Sequence, residues 1–369
     1  MAKQGSNRDA LVSSIYKTIN DISDVGAYYF GDDVFNPSSI TDWVSTGDPI
    51  LDVVISNRKN GGLPVGRISE VSGLEGSGKS LLAAHVLLET QKKDGIAVYI
   101  DTEQAQFENF LKAIGLDFNK LLYVPEYIIE NIFELIESIV ETTRKKDPNK
   151  LVTIVVDSVM GATHKIENES NYSQQGYNTN KSIIISQAMR KITNMIARER
   201  ILVLFTNQLR SKMDAMAFGE KWTTSGGKGI PFHASLRLQM ARIAKIKNKD
   251  KIVGIKSKVK VTKSRIGPPF RESDVELYFN RGMDPTASWL KAAKETKIVK
   301  TSGAWSKFGE TTFQGTDGFK EILKDEQIKQ QIYDALCDEL IMKYEGASFS
   351  IDDNVLEDEA SSAPTLEED

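Results

Sequence analysis

The sequence predicts an α/β protein: a mostly parallel central sheet with helices on both faces, extended by antiparallel strands, plus an N-terminal helix and a small C-terminal α/β lobe. Three observations predict it. Short, nearly all-apolar runs at Ile68 to Val71, Ile96 to Ile100, Leu151 to Val156 and Ile201 to Thr206 read as strands buried on both sides. Amphipathic stretches at Lys79 to Lys93, Gln104 to Ile114, Asn131 to Arg144 and Lys181 to Arg198 separate or follow them, an alternation that builds a parallel sheet. Beyond these, Ser235 to Ala241, Lys256 to Thr262 and Val275 to Phe279 alternate with period two, which adds antiparallel strands at one edge.

Taken in order, Arg8 to Asp24 carries Leu11, Ile15, Ile19 and Ile22 at helical spacing on an otherwise polar helix, a stripe that needs a surface to lie against. Loops marked by Asn36-Pro37-Ser38-Ser39 and Asn60-Gly61-Gly62-Leu63-Pro64 flank a short helix near Ile50 to Ile55. After the sheet, Ser288 to Thr296, Gly303-Ala304-Trp305 and a helical run from Gly318 to Tyr344 form the C-terminal lobe. The expected division is residues 1–35 for the helix and linker, 36–282 for the core, 283–350 for the lobe and 351–369 for an acidic tail. No repeat with a period of 20 to 50 residues is visible.

Composition narrows the function classes. The chain of 369 residues is 40% hydrophobic and 27% charged, as in a soluble globular protein. Its single cysteine, Cys337, excludes an intramolecular disulfide and a cysteine-based zinc cluster, and His85, His164 and His233 are too scattered to suggest a metal site. No apolar run reaches membrane-spanning length and the start, MAKQGSNRDA, lacks an apolar signal core, so the expected compartment is the cytoplasm.

Charge is unevenly spread. The 47 Lys and Arg against 51 Asp and Glu sum to −4. Eight of the acids (Asp352, Asp353, Glu357, Asp358, Glu359, Glu367, Glu368, Asp369) lie in 351–369 with no base among them, so residues 1–350 hold 47 basic and 43 acidic groups, a net of +4. Between Arg237 and Arg271, twelve Lys and Arg meet one acid, Asp250. An acidic tail and a basic segment on one chain suggest a polyanion partner, with the tail competing for the basic surface. Truncation after Ser350 is therefore expected to strengthen binding to a polyanion.

Gly73-Leu74-Glu75-Gly76-Ser77-Gly78-Lys79-Ser80 satisfies G-x-x-x-x-G-K-[ST] between an apolar strand and a helix, the context that gives the pattern its meaning. Its glycines let backbone N–H groups turn towards phosphate oxygens, Lys79 reaches the β- and γ-phosphates, and the Ser80 hydroxyl ligates Mg²⁺. The strand Leu151 to Val156 ends in Asp157, placed to hold Mg²⁺ and its waters. Another strand ends in Asp101-Thr102-Glu103. Carboxylates at this end of a parallel sheet face the ligand crevice, so Glu103 can activate the attacking water, with a helix-capping role the equal alternative. The strand from Ile201 ends in Asn207-Gln208, whose amide can report on the γ-phosphate.

These strand ends, in this order, resemble the RecA family of homologous-recombination ATPases, and the bacterial branch more than the eukaryotic one. The resemblance runs from about Ile40 to Gly315 and rests on VSTGDPILD (45–53), GGLPVGRISEVSGLEGSGKS (61–80), IDTEQA (100–105), VVDSV (155–159), SQAMRK (186–191), TNQLRSK (206–212), TTSGGKGIPFHAS (223–235) and GAW (303–305). It implies a RecA-type P-loop NTPase core using ATP and Mg²⁺, with Glu103 the water-activating carboxylate and Gln208 the γ-phosphate sensor. It implies two DNA-binding loops, Asn168 to Asn180 and Leu209 to Gly229. Within and beside them, Arg190, Arg210, Lys212, Gly226, Gly227 and Lys228 would meet DNA, and Met213 would wedge between bases. Met213 and Met216 can alternatively anchor the loop by packing. Lys263 and Arg265, two apart on a strand and so on one face, would reach the nucleotide of a neighbouring protomer. Phe232 would couple neighbours, with plain core packing the near-equal alternative.

The resemblance has departures: Phe107 stands where an acid near the adenine is usual, and Phe110 would stack on adenine where a tyrosine is usual. Arg265 stands for a common lysine, Ile183 for a frequent arginine, and Trp222 lengthens the second loop. Divergence of this degree would suit a phage-encoded member. The implied activity is a DNA-dependent ATPase that forms helical filaments on single-stranded DNA and exchanges strands with homologous duplex, in the company of single-strand-binding and mediator proteins. A ring-shaped helicase on the same fold and a nucleotide-gated scaffold with little hydrolysis are the competing readings.

Overall fold

The computed structural model describes residues 10–23, 27, 39–104, 108–165, 177–197, 199–211, 222–224 and 226–343, with backbone alone at 177–180 and 211. Most of the first DNA-binding loop, Phe107, Lys212, Met213, Met216 and the acidic tail lie outside the described residues.

Two short strands, β1 (Trp43–Val44) and β2 (Leu63–Pro64), pair antiparallel around helix α2 (Pro49–Ser56). The central sheet contains β3 (Ile68–Gly73), β4 (Ile96–Asp101), β5 (Leu121–Val124), β6 (Val152–Asp157), β7 (Ile201–Ser211), β8 (Trp222–Thr224), β9 (Leu236–Asn248), β10 (Lys251–Ser264), β11 (Glu272–Tyr278) and β12 (Gly282–Asp284). Its order is β12-β11-β10-β9-β3-β7-β6-β4-β5, with β8 paired to the far end of β7. The block from β9 to β5 is parallel, and β10, β11 and β12 continue antiparallel beyond β9, as the change from all-apolar to alternating strands predicts.

Helices α3 (Lys79–Lys92), α4 (Glu108–Ala113), α5 (Ile129–Lys146), α6 (Tyr177–Ile196) and the five-residue α7 (Gly229–His233) cover the sheet. Leu82, Val86 and Leu87 of α3 join one hydrophobic cluster. Ile132, Ile136, Ile185, Met189 and Ile192 of α5 and α6 join the cluster on the other face with Ile68, Val203 and Phe205. The central strands β3 and β6, and β7 up to Asn207, therefore bury both sides.

The C-terminal lobe has α8 (Thr286–Glu295), a small sheet of β13 (Lys300–Ser302), β14 (Trp305–Phe308) and β15 (Thr311–Gln314), then α9 (Gly315–Ile322) and α10 (Glu326–Leu340). The single helical run expected over Gly318 to Tyr344 is two helices. The first ends at Ile322 with Leu323 as its C-cap, and Asp325 caps the start of the second, its side chain accepting from the N–H groups of Gln327 and Ile328. The lobe's own cluster includes Ile50 and Val53 of α2, and Ser288 donates to Asp48, so the lobe is seated on the core.

Helix α1 (Ala10–Ile22) buries none of its residues; Leu11, Ile15, Ile19 and Ile22 are all exposed. The expected stripe is present but is not buried in this protomer. Among the described residues no helix is long and apolar enough to cross a membrane.

Candidate nucleotide and nucleic-acid site

Strand β3 delivers Gly73 to the C-terminal end of the sheet, where the chain turns over the loop into α3. Gly76 and Gly78 have φ of 66° and 96°, and a Cβ at Gly73 would lie 2.5 Å from the Met240 carbonyl oxygen and from Ser77 Oγ. The turn thus requires glycine for both conformation and space. Lys79 is buried and its Nζ folds back to donate to the carbonyls of Gly73 (3.1 Å) and Leu74 (3.0 Å). Burial pushes its amine below the ordinary lysine range, while Asp157, Glu103 and Glu75 pull it up.

The Ser77 hydroxyl is buried with no hydrogen-bond partner among the described residues. A glycine cradle, an unpartnered buried hydroxyl and a lysine resting on its own loop are a donor set that fits a polyphosphate. The oxygen donors nearby, the Ser80 hydroxyl and the Asp157 carboxylate, suit a hard cation such as Mg²⁺. Among the described residues no three His, Cys, Asp or Glu are grouped to hold a metal.

Asp157 ends β6 and is buried; its carboxylate accepts from Tyr99 Oη (2.9 Å) and from Thr206 Oγ1. Burial, then the Asp157 charge, raise the Tyr99 phenol far above its usual range, so it stays a donor. In the turn after β4, Asp101 accepts from the N–H groups of Glu103 (3.0 Å) and Gln104 (2.8 Å) and from Tyr123 Oη (2.9 Å). Glu103 is exposed, and its Oε1 accepts from Ser158 Oγ at 2.9 Å. Sequence reasoning missed Ser158, Tyr99 and Thr206. Only Ser158 had a signal, its place directly after Asp157.

Gln208 lies opposite Gly73 in the β3–β7 register, so the sensor expected from the strand end stands beside the first glycine of the phosphate loop. Strand β7 continues without a break through Arg210, which is exposed and opposite Thr223 of β8, and Trp222 of β8 is 43% exposed opposite Ser211. The stem of the second loop is therefore an extension of the sensor strand. A cavity of about 210 Å³ separates this stem from the phosphate loop, between Glu75, Ser77, Leu209, Trp222 and Arg242. Gly226 and Gly227, with φ of 83° and 74°, close the loop against α6: a Cβ on Gly227 would lie 2.8 Å from Ser182 Oγ. Lys228 follows, exposed, as the N-cap of α7.

Three expected residues sit elsewhere. Lys263 donates to the carbonyls of Pro231 and Phe232 (both 2.8 Å), and Arg265 to Phe232 (3.3 Å), at the C-terminal end of α7. Val259 pairs with Met240, which pairs with Gly73, so Lys263 is four positions away along β10, roughly 13 Å at ~3.3 Å per residue, towards the opposite end of the sheet. Arg190 joins this group. Burial first, then Arg190, Arg265 and Lys263, hold the His233 imidazole below its usual value. Phe232 is 67% exposed beside them, so the core-packing alternative does not hold in this protomer.

Phe110, expected to stack on adenine, is a buried residue of α4. It is only 9% exposed, belongs to the α3-side cluster and meets His85 edge-on at 6.4 Å. Phe110 and Leu111 are the buried residues of the short α4, so the ring packs against the core.

A glycine-rich phosphate loop after a central parallel strand, with carboxylates and an amide at the neighbouring strand ends, defines a P-loop nucleotide-binding protein. The sequence profile described as the RecA N-terminal domain matches residues 30–284. The chain is 36% identical over 292 residues to Protein RecA of Chlorobium limicola, covering 79% of this chain and 80% of the relative. It is 36% identical over 310 residues to that of Chloroherpeton thalassium, 83% of each, and 36% identical over 303 residues to that of Nautilia profundicola, 80% and 84%. The chain belongs to the RecA family, with the fold that the sequence predicts.

Proposed function

We propose that this chain is a DNA-dependent ATPase that assembles into a helical filament on single-stranded DNA and catalyses pairing and strand exchange with homologous duplex, in recombination and repair. The observation that carries this is the shared strand: β7 passes Gly73 of the phosphate loop at Gln208 and continues into the stem of the second loop. An event at the γ-phosphate therefore reaches the DNA-facing stem through two residues of extended backbone.

In this reading the backbone of Gly73, Leu74, Glu75, Gly76, Ser77 and Gly78 cradles ATP, and Lys79 exchanges its carbonyl partners for phosphate oxygens. Ser80 and Asp157 hold Mg²⁺, which when bound offsets the negative charge of the phosphates. Glu103, oriented by Ser158, accepts a proton from water as the water oxygen attacks the γ-phosphorus and the bond to the β,γ-bridging oxygen breaks. Gln208 senses the γ-phosphate. Phosphate contacts by Arg210, Lys212 and Lys228 give sequence-independent affinity, and Met213 is the wedge between bases. Arg190 stands apart from that stem, beside the Lys263 group.

Lys263 and Arg265 lie at the wrong end of the sheet to serve their own protomer's loop, which supports their action on a neighbour's nucleotide with Phe232 at the same junction. The exposed stripe of α1 supports self-association. Its counterpart on a second copy is the free edge of the sheet at β5, where Phe118, Leu122, Tyr123 and Tyr127 are exposed. The test is strand exchange between circular single-stranded and linear duplex DNA with ATP and Mg²⁺. Joint molecules and exchanged product are expected. Absence of both, with DNA-stimulated hydrolysis intact, overturns the recombinase reading and leaves a motor.

A further inference from the structure

Glu70 of β3 is a carboxylate with no exposed surface, outside the nucleotide site. Its two oxygens are taken by different strands: Oε1 accepts from Asn207 Nδ2 of β7 at 3.0 Å, and Oε2 from Arg237 Nε of β9 at 2.6 Å. In the register Glu70 stands opposite both Phe205 of β7 and Arg237 of β9, and Arg237 stands opposite Lys263 of β10. Directly opposed residues share a face, so Glu70, Arg237 and Lys263 form a row on the face covered by α5, α6 and α7. Asn207, two positions beyond Phe205, is on that face too. Gln208, the next residue, points to the other face, beside Gly73.

From this arrangement we propose that Glu70 is a positioning residue that couples the sensor strand to the neighbour-facing basic pair, through Asn207 on one side and Arg237 on the other. The proposal rests on the reading of Gln208 as sensor and of Lys263 and Arg265 as cations acting on the adjoining protomer. Its physical basis is the cost of an unsatisfied buried charge. If β7 shifts as Gln208 engages phosphate, Asn207 moves with it, and Glu70 cannot stay behind without losing a hydrogen bond where no water replaces it. Arg237 is charge-paired with the same carboxylate and follows, and with it the end of β10 that holds Lys263. Occupancy of one protomer's site would thereby set the position of the cations offered to the next.

Glu70→Gln keeps the shape and an acceptor for Asn207 but removes the charge that holds Arg237. In the full-length chain we expect the parent to show sigmoidal dependence of single-strand-stimulated hydrolysis on ATP. The variant should lose the sigmoid and turn over about tenfold more slowly, while its affinity for a fluorescent ATP analogue, measured without DNA, stays within about twofold. An unchanged sigmoid and rate in the folded variant, or a hyperbolic parent, overturns the coupling.

Should Glu70→Gln not fold, a cycle of Asn207→Ser, Arg237→Lys and the double variant decides. Members of one network lose turnover non-additively, so full additivity overturns the proposal. Gln208→Ala and Lys263→Ala are run alongside. Both must slow DNA-stimulated hydrolysis if the underlying reading stands, so normal rates in those two sink the site assignments, whereas normal rates in Glu70→Gln alone sink only the relay.

Discussion

The two ends of the central sheet carry opposite halves of the chemistry. At the C-terminal end, glycine backbone, Lys79, Ser80, Glu103 and Asp157 surround the place for a triphosphate, and the cation among them is buried and folded onto its own loop. At the other end Lys263, Arg265 and Arg190 gather beside exposed Phe232, with α7 carbonyls as the main partners of the first two. A cation that completes a phosphate site is useful within a few ångströms, where low dielectric strengthens it. Strand spacing holds these two groups apart within one protomer. Under the proposed function, the difference teaches that one chain would bear both halves of a site that two chains assemble.

The largest expected effect belongs to the phosphate end alone. Lys79→Ala should weaken ATP binding by ~100-fold or more and remove ATP-dependent DNA binding with it; titration with a fluorescent nucleotide measures this, and parent-like affinity would sink the assignment. Glu103→Gln should slow DNA-stimulated hydrolysis by ~10²–10⁴ yet retain ATP-dependent binding to single-stranded DNA, since the carboxylate is placed for the water rather than the loop.

The sharpest test of the comparison is mixing. Lys263→Ala should slow hydrolysis on DNA by ~10² without changing nucleotide affinity in the absence of DNA. Mixed with Lys79→Ala, also inactive, it should regain activity, because in a random 1:1 assembly about a quarter of the composite sites pair an intact loop with an intact basic pair. If every mixing ratio gives only the sum of two inactive proteins, the cations act within their own protomer and the two-chain site is wrong.

What could be read from the residues in order, and what could not, follows the same division. The phosphate loop, Asp157, Glu103 and Gln208 are contiguous signals at the ends of apolar strands, so sequence placed them well. Strand β5 escaped because Leu121–Val124 is short, and two of its four side chains are exposed on the sheet's edge, where burial imposes no pattern. The β9–β10 hairpin extends to Asn248 and Lys251, well past the expected Ala241 and Lys256, because lysines fill positions whose only requirement is to face water. The burial of Phe110 could not be read in advance, since a motif position carries no statement of burial. Glu70, Arg237 and Asn207 belong to three separate segments, and only the sheet register brings them together.

The smallest effect compares Glu70, which has a cation, with a second set of buried acids that has none. Asp52 accepts from Ser45 and Thr46, and Asp48 from Ser288 and the N–H groups of Ile50 and Leu51. Burial is the main cause that raises Asp52 to about 7 and Asp48 to about 6 from 3.8. A carboxylate whose folded value lies above its unfolded one binds a proton more tightly when folded. Stability is therefore fullest below about pH 4 for these groups and is lost as pH rises towards 7, the reverse of a salt-bridged acid. The unfolding midpoint should fall by ~5 °C between pH 5 and pH 8, by calorimetry at constant ionic strength. Asp52→Asn keeps the acceptor for Thr46, removes the charge, and should flatten that slope. A slope unchanged by the substitution would show that the α2 acids stay ionised in the core, and that a buried carboxylate here tolerates neutral donors as well as Glu70 tolerates Arg237.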